Sequence, residues 1–299
     1  MNDTVWFAEE GATNIIIHYR SLRTVYSGRS DYASIDIVDT AEYGRMLFLD
    51  GIAQSAEQDE FIYHESLVHP AMLLHPNPMS VCIIGGAEGA TLREVARYQN
   101  LRRIVMVDID EELVNVCRQY LSSWSNEAYD DSRLRLHIGD GRAFLEQTEE
   151  TFDLIIVDLN DPTEDSPAVY LFTREFYQLV HSRLSKDGVS CFQGTDLQPT
   201  KLTLHARMYN TISSVFKWVV SYPYMMPSFH AIQSFILASK EVDPRTLDFA
   251  ARLRRHNFQL RYLSPSFIQN LFRMPAYVEE AYSTHQELIT DARPTLYQA

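Results

Sequence analysis

Two carboxylates three residues apart, Asp158 and Asp161, follow an apolar stretch of the sequence and precede Pro162. The stretch is typical of a buried strand, and a proline at that point stops a strand. A free alkylamine has a pKa of about 10, so an amine nucleophile must lose a proton as it attacks. A carboxylate can hold the ammonium, orient it and accept that proton. The pair therefore predicts a cation-binding site suited to amine chemistry.

A glycine-rich turn, Gly85-Gly86-Ala87-Glu88-Gly89, follows another apolar stretch and opens a predicted helix. Glycines there let the backbone approach a ligand closely. The N-terminus of a helix favours anions, but Glu88 occupies the turn, which argues against a phosphate and for a positively charged ligand. On its own such a turn would be no more than structural, so its neighbours decide its meaning.

Further acidic residues follow the next two apolar stretches. Asp108 lies about 20 residues beyond the glycine turn, where an acid typically holds ribose hydroxyls. Asp140 stands between Gly139 and Gly141, where a carboxylate and adjacent backbone could bind an adenine amino group. The carboxyl ends of parallel strands meet at one edge of a sheet, so these groups should converge. The pattern suits an adenosyl ligand that carries a sulfonium or an ammonium, and ordinary strand-end acids would explain the whole set poorly.

Two other segments have features of functional sites. Residues 162–172 have the length and composition of an active-site lid, although an ordinary surface loop fits as well. His64, His69 and His75 are close in sequence, but His64-Glu65 does not match the HExxH metal pattern. No metal site is predicted.

The elements that must position these residues follow from periodicity. Residues 1–56 contain short stretches rich in β-branched residues and separated by turns, which predicts a small antiparallel sheet. Residues 58–74 have helical spacing, with Pro70 expected to kink or end the helix. From Ser80 strands and helices alternate, which predicts a Rossmann-like, doubly wound, mostly parallel sheet over 57–299. The predicted strands are 13–19, 24–28, 34–40 and 45–51 in the first part, then 80–85, 103–110, 133–140, 152–161, 188–194 and 233–239.

Composition excludes several classes of protein. The chain has 299 residues and a formal net charge of −14, which argues against a nucleic-acid surface and is compatible with a cationic small substrate. No stretch approaches the roughly 20 apolar residues of a membrane span, and the N-terminus does not match a signal peptide. Three cysteines in apolar stretches predict neither a disulfide framework nor a zinc site. A cytoplasmic location is expected.

The motifs recur in the same order in the spermidine synthase family, which the sequence resembles over nearly its whole length. Within that family it is most similar to the thermospermine synthases, because of Glu88, the segment 54–78, and Pro227-Ser228-Phe229 where spermidine synthases usually have a tyrosine that holds putrescine. The matching motifs are Trp6-Phe7-Ala8-Glu9, Leu49-Asp50-Gly51, Gln54, Asp59 through Glu65, Gly85 through Gly89, Asp108-Ile109-Asp110, Gly139-Asp140-Gly141 and Asp158 through Pro162.

The resemblance implies a polyamine aminopropyltransferase that uses decarboxylated S-adenosylmethionine as a co-substrate, with no cofactor, and that forms a homodimer or homotetramer. Asp158 would be the proton acceptor and, with Glu88, would bind the aminopropyl amine. Asp108 would hold the ribose. The residues expected to bind the donor nucleoside are Gln54, Glu88, Asp108, Asp140, Gly141 and Pro167, and those expected to face the polyamine are Tyr63, His64 and Asp161.

The sequence departs from the family pattern at two places. Ala33-Ser34 stands where many members have Gln-Asp, so a donor contact is missing or rebuilt. Ala87 stands where the glycine turn usually has glycine, and alanine fits there only if the residue does not need a positive φ.

Spermidine as acceptor, giving thermospermine, is the expected reaction, and putrescine or another amine is the alternative. Spermidine carries three ammonium groups, so further carboxylates are expected in the acceptor channel, and the candidates are Asp161, Glu57 and Asp196 in that order. The same fold is also compatible with two other functions, those of an S-adenosylmethionine methyltransferase and of a non-enzymatic polyamine-binding protein. Glu88 opposes the methyltransferase, since it would repel the methionine carboxylate.

Overall fold

The computed structural model describes residues 5–9, 15–162 and 167–297, and the side chain of Pro167 is not among the described groups. An antiparallel sheet of five strands comes first, in sequential order. Asp50 and Gly51 both have positive φ and join two of its strands as a two-residue hairpin loop, as a type I′ turn requires. The strands are β1 Val5–Glu9, β2 Ile17–Arg29, β3 Ser34–Thr40, β4 Gly44–Leu49 and β5 Ile52–Ala56.

Strand β2 corrects the sequence interpretation, which had separate strands at 13–19 and 24–28. It runs without interruption because its first half pairs with β1 and the rest with β3, so the polar residues between the two apolar stretches stay within the ladder. Thr13 and Asn14 lie outside the described residues.

A seven-stranded sheet follows, in the order β11-β12-β10-β9-β6-β7-β8. Strands β10, β9, β6, β7 and β8 are parallel, and β12 is antiparallel to both of its neighbours. The predicted Rossmann-like, mostly parallel sheet is confirmed. These strands are β6 Ser80–Gly85, β7 Arg103–Asp108, β8 Leu134–Ile138, β9 Phe152–Asp158, β10 Leu184–Asp196, β11 Trp218–Met226 and β12 Ala231–Ser239.

The chain leaves β6 for β7 on one side and returns to β9 on the other, so the strand order reverses at β6. In open parallel sheets, ligands bind in the crevice outside the strand ends at such a point. The ends of β6, β7 and β9 carry the glycine turn, Asp108 and Asp158, which brings the predicted site residues to one edge.

Ten α-helices flank the sheets in the described part of the chain. They are α1 Glu60–Leu74, α2 Ala90–Ala96, α3 Glu111–Tyr120, α4 Ser122–Ser125, α5 Gly141–Gln147, α6 Arg174–Arg183, α7 Leu202–Ser213, α8 Phe249–Leu253, α9 Pro265–Gln269 and α10 Ala276–Thr284. Among them, no helix is both long and apolar enough to cross a lipid bilayer.

Helix α1 continues through Pro70 to Leu74, where the sequence predicted a kink or an end. A proline cannot donate to the carbonyl one turn earlier, which here belongs to Ser66. The Tyr222 hydroxyl donates to that carbonyl oxygen at 2.8 Å instead. A tertiary contact from β11 therefore compensates the lost backbone bond, and most of α1 is buried against the sheet.

The turn between β5 and α1 contains the expected domain boundary at residues 56 and 57. The division of the chain into 1–56 and 57–299 stays a prediction.

Candidate active site

Asp158 is the last residue of β9, and both of its carboxylate oxygens accept hydrogen bonds. Tyr63 of α1 donates to Oδ1 at 2.6 Å, and Thr91 of α2 donates to Oδ2 at 2.6 Å. Burial, followed by the negative charge of Asp158, raises the pKa of Tyr63 well above its ordinary value, so the phenol stays a donor. The carboxylate is half-buried and fixed in orientation, as a residue that positions an amine must be.

The glycine turn packs closely against Asp158. Gly85 and Gly86 have φ values of 84° and 78°, a region that other residues rarely adopt. A Cβ on Gly85 would lie 2.0 Å from the carbonyl oxygen of Asp158, and one on Gly86 would lie 3.1 Å from its Oδ2. Ala87 is not among the described residues with positive φ, so alanine meets the condition that the sequence set for it.

Glu88 begins a chain of buried charges. Oε1 of Glu88 lies 2.7 Å from Nε2 of His64, a close ion pair rather than a well-aligned hydrogen bond. Nδ1 of His64 lies 2.8 Å from Oε2 of Glu60. Two nitrogens of Arg93 each lie 3.0 Å from the Glu60 carboxylate. Anionic and cationic groups therefore alternate from the turn into the protein.

The charged groups in this row, from Glu88 to Arg93, stabilise one another's ionised forms. Burial alone would lower the pKa of His64, but the carboxylates of Glu60 and Glu88 outweigh it and raise the pKa to about 10. Burial raises the pKa of Glu88, and the neighbouring His64 opposes that shift. The imidazolium therefore favours the ionised form of Glu88, which is the form that attracts an ammonium.

His64 is only 1% exposed, and both of its ring nitrogens face carboxylates. The structure thus places it behind Glu88. Its expected contact with a polyamine stays a prediction, and the observed contacts favour an effect through Glu88.

The predicted nucleoside residues converge at the ends of β7 and β8, which are adjacent parallel strands. Asp108 is nearly buried, accepts from the backbone N–H of Asp110 at 3.0 Å, and has its pKa raised to about 6 by burial. Asp140 is exposed and caps α5 by accepting from the backbone N–H of Ala143 at 2.7 Å. Gly141 lies directly over β6, since a Cβ there would come within 2.5 Å of Ile84.

The remaining predicted residues are placed less directly. Asp161 accepts from Nε2 of Gln193 at 2.9 Å, and burial raises its pKa to about 6. The Gln54 side chain turns back to donate to the carbonyl oxygen of Ile52 at 3.1 Å. Pro167 begins a short 3₁₀ helix, Pro167–Phe172, and residues 163–166 of the expected lid lie outside the described residues.

Comparison with known proteins gives a consistent result. Residues 60–248 match the model of the spermine/spermidine synthase domain, and residues 5–57 match the spermidine synthase tetramerisation domain. The chain belongs to the spermine/spermidine synthase family. By that membership it is an aminopropyltransferase, and residues 5–57 form an oligomerisation domain of the kind found in that family.

Individual relatives agree with this family. Polyamine aminopropyltransferase 2 of Pseudomonas aeruginosa is 48% identical over 225 residues, which are 75% of this chain and 64% of that protein. A thermospermine synthase of Arabidopsis thaliana is 38% identical over 274 residues, 89% of this chain and 80% of that protein. A crystal structure of spermidine synthase in complex with the transition-state analogue AdoDATO has a TM-score of 0.88 and 32% identity, covering 95% of this chain and 96% of that one.

For this member of the spermine/spermidine synthase family, sequence reasoning missed several site residues. Thr91 lies in the first turn of α2, where a threonine is unremarkable without the position of Asp158. Glu60 and Arg93 belong to different helices, and an acid in the first turn of a helix is explained by the helix dipole alone.

The departure at Ala33-Ser34 also has a structural account in this family member. The Ser34 backbone N–H and hydroxyl donate to Oδ1 of Asp50 at 2.9 and 3.2 Å, and Ala33 joins the core. These residues therefore brace the β4–β5 hairpin.

Proposed function

We propose that this aminopropyltransferase moves the aminopropyl group of decarboxylated S-adenosylmethionine to spermidine, and releases thermospermine and methylthioadenosine. The donor is a co-substrate, and no further cofactor takes part. The enzyme acts in the cytoplasm as a homodimer or homotetramer, which the tetramerisation-domain match over residues 5–57 supports.

In this reaction the acceptor nitrogen attacks the carbon next to the sulfonium. A C–N bond forms, the C–S bond breaks, and its electron pair stays on sulfur as a neutral thioether. The leaving group needs no proton, so one carboxylate suffices. Asp158 accepts the proton of the attacking amine, and Tyr63 and Thr91 hold its carboxylate in place.

Donor recognition is assigned to residues at the same edge of the sheet. Glu88, which is paired with His64, holds the donor ammonium, while Asp108 binds the ribose and Asp140 with Gly141 binds the adenine. Gln54 and Pro167 are proposed to line the donor. Gln54 must then rotate away from Ile52, to which it is bonded in the structure.

The observation that carries the choice of spermidine is the position of Ser228. A tyrosine at this place would present a phenol to the far ammonium of a short diamine. Here Ser228 is fully buried, and its hydroxyl and backbone N–H both donate to the Asp59 carboxylate, at 2.9 and 2.8 Å. Ser228 therefore offers no hydrogen bond to the far ammonium of a short diamine, and a longer acceptor can extend past this position.

The geometry also opposes the methyltransferase reading. Burial is the main cause of the raised pKa of Glu88, and the negative charge of Asp158 adds to it, so the two carboxyl groups act on each other. A methionine carboxylate placed beside these two groups would meet a third negative charge.

Product analysis tests the proposal. The enzyme is incubated with decarboxylated S-adenosylmethionine and either putrescine or spermidine, and the products are separated so that thermospermine and spermine are distinguished. Thermospermine is expected from spermidine, with kcat/KM for spermidine above that for putrescine. Efficient use of putrescine with little use of spermidine would make the enzyme a spermidine synthase instead.

A further inference from the structure

The end of β10 is irregular beside the proposed acceptor site. The pairing of β10 with β12 shifts register between Gln193 and Asp196, as at a β-bulge. Within the bulge Thr195 has a φ of 63°, which a β-branched residue rarely adopts. A bulge of this kind re-aims the side chain that follows it. The side chain re-aimed here is that of Asp196.

Three buried oxygens at this bulge have no hydrogen-bond partner among the described residues. They are Oδ1 of Asp196, a residue only 4% exposed, Oε1 of Gln193, a residue 7% exposed, and Oγ1 of Thr195, which is fully buried. Buried polar atoms are normally paired, and leaving a charged one unpaired is costly. The carboxylate oxygen of Asp196 and the amide oxygen of Gln193 can only accept, so the group that completes them is a donor, and beside a carboxylate the favoured donor is a cation.

These acceptors lie next to Asp161. Nε2 of Gln193 is 2.9 Å from Oδ1 of Asp161, and the amide geometry then puts Oε1 within about 5 Å of that carboxylate. Tyr297 links the other side, because its backbone N–H donates to the carbonyl oxygen of Pro162 at 2.7 Å and its hydroxyl donates to Oδ2 of Asp196. Asp161, Gln193 and Asp196 therefore form one cluster.

An apolar wall connects the cluster with Asp158. Tyr63, which donates to Asp158, packs edge-on against Tyr224 and Phe235, with ring centroids 5.4 and 5.0 Å away. After burial, the charges of Asp161, Asp158 and Asp196 are what raise the pKa of Tyr224, so all three carboxylates act on the same phenol. The methylene chain of an amine can lie along these rings while its charged ends meet carboxylates.

Lys201 is a cation close to the cluster. It opposes the burial that raises the pKa of Asp161, and its ammonium lies 3.5 Å from the Tyr297 hydroxyl. Lys201 therefore balances part of the negative charge, while Oδ1 of Asp196 still lacks a partner among the described residues.

We infer that Asp196, together with Asp161 and Gln193, binds an ammonium group of the acceptor other than the one that attacks. The inference rests on the proposed function in that it takes the acceptor to be a polyamine. It adds a specificity-determining residue beyond Asp158 and Asp161: an acceptor with a second ammonium gains a charged hydrogen bond that a monoamine cannot make.

The test compares Asp196→Asn with the wild type on amines that differ in charge. Butylamine and putrescine have the same four-carbon chain and differ by one ammonium, and spermidine carries a further one. Asp187→Asn, which removes a carboxylate from the exposed start of β10, is the matched control. Dissociation constants are measured with the enzyme saturated with methylthioadenosine, and KM and kcat are measured with the decarboxylated donor.

For whichever polyamine the wild type uses better, Asp196→Asn is expected to raise KM and the dissociation constant roughly 10- to 100-fold. The affinities for butylamine and methylthioadenosine, and every value for Asp187→Asn, should change by less than about threefold. An equal loss for butylamine and the polyamine, or no loss for the polyamine, would overturn the inference. If the wild type prefers putrescine, the proposed function fails, yet the comparison of putrescine with butylamine still decides the role of Asp196.

Tyr297→Phe provides a second readout, which also serves if Asp196→Asn does not fold. The phenol and an ammonium compete for the same carboxylate, so loss of the hydroxyl should lower KM for the preferred polyamine roughly two- to fivefold and leave butylamine unchanged. An unchanged or higher KM for the polyamine would contradict a site at Asp196.

Discussion

Nε2 of His64 lies 2.7 Å from Oε1 of Glu88, and the other ring nitrogen of His64 lies 2.8 Å from Glu60. A doubly protonated ring between two carboxylates is a buried cation that depends on both. Arg93 anchors the far carboxylate. These ion pairs connect the site to helix α2. Both the stability of the folded protein and the binding of the donor therefore depend on the charge of His64.

The first prediction concerns stability as a function of pH in the wild type and in His64→Gln. The pKa of His64 is raised from an ordinary value of 6.5 to about 10 in the folded protein. The stabilisation is therefore complete below pH 6.5 and is lost as pH rises through about 10. The difference in melting temperature between wild type and variant should shrink from pH 6.5 to 10, as measured by thermal unfolding. A difference that is constant across this range would mean that His64 is neutral in the folded state.

A second prediction concerns the donor and Glu88→Gln. The variant keeps the shape of the side chain but loses the charge that attracts the donor ammonium. KM for decarboxylated S-adenosylmethionine should rise roughly 10- to 100-fold, because a hydrogen bond to a charged group is lost. Methylthioadenosine has no aminopropyl group, so its dissociation constant should stay within about threefold.

The control for Glu88→Gln is Glu111→Gln, which changes an exposed acid of α3. Full use of the decarboxylated donor by Glu88→Gln would show that Glu88 does not bind the ammonium.

The third prediction concerns Asp158→Asn. The amide can still accept from Tyr63 or Thr91, so the fold and the binding of methylthioadenosine should be retained. It cannot accept a proton, and kcat should fall by about 10²–10⁴, the usual range for a positioned acid–base group. Steady-state rates of methylthioadenosine release in the presence of spermidine provide the measurement. Turnover close to that of the wild type would refute the assignment of the proton acceptor.

Much of this architecture could be predicted from the sequence, because alternating apolar strands and amphipathic helices leave few topologies. The positions of Glu88, Asp108, Asp140 and Asp158 at or just beyond the ends of strands followed from that alternation. Sheet topology alone was enough to bring them to one edge.

The features that the sequence did not predict depend on contacts between elements that are far apart in the sequence. The bulge that turns Asp196 toward Asp161 follows a continuous apolar strand and contains no residue that marks it. The pairing of Glu60 with Arg93 could not be predicted for the same reason, because the presence of each residue is already explained by its position in its own helix.

Pro70 is the clearest example, because local rules allowed it to end the helix and α1 continues to Leu74. The fourth prediction follows from its compensation: Tyr222→Phe should leave the carbonyl oxygen of Ser66 buried without a donor and lower the free energy of unfolding by about 1–3 kcal/mol. Denaturant unfolding with an unchanged m-value would measure the loss, and Tyr32→Phe, at an exposed position, serves as the control.

The Tyr222 phenol also lies 3.4 Å from the Cys191 sulfur, a weaker contact that Cys191→Ala would remove while leaving Ser66 bonded. A loss in Tyr222→Phe that persists in the Cys191→Ala background belongs to the carbonyl. If the loss of stability disappears in the Cys191→Ala background, helix α1 tolerates Pro70 without the hydrogen bond from Tyr222 of β11.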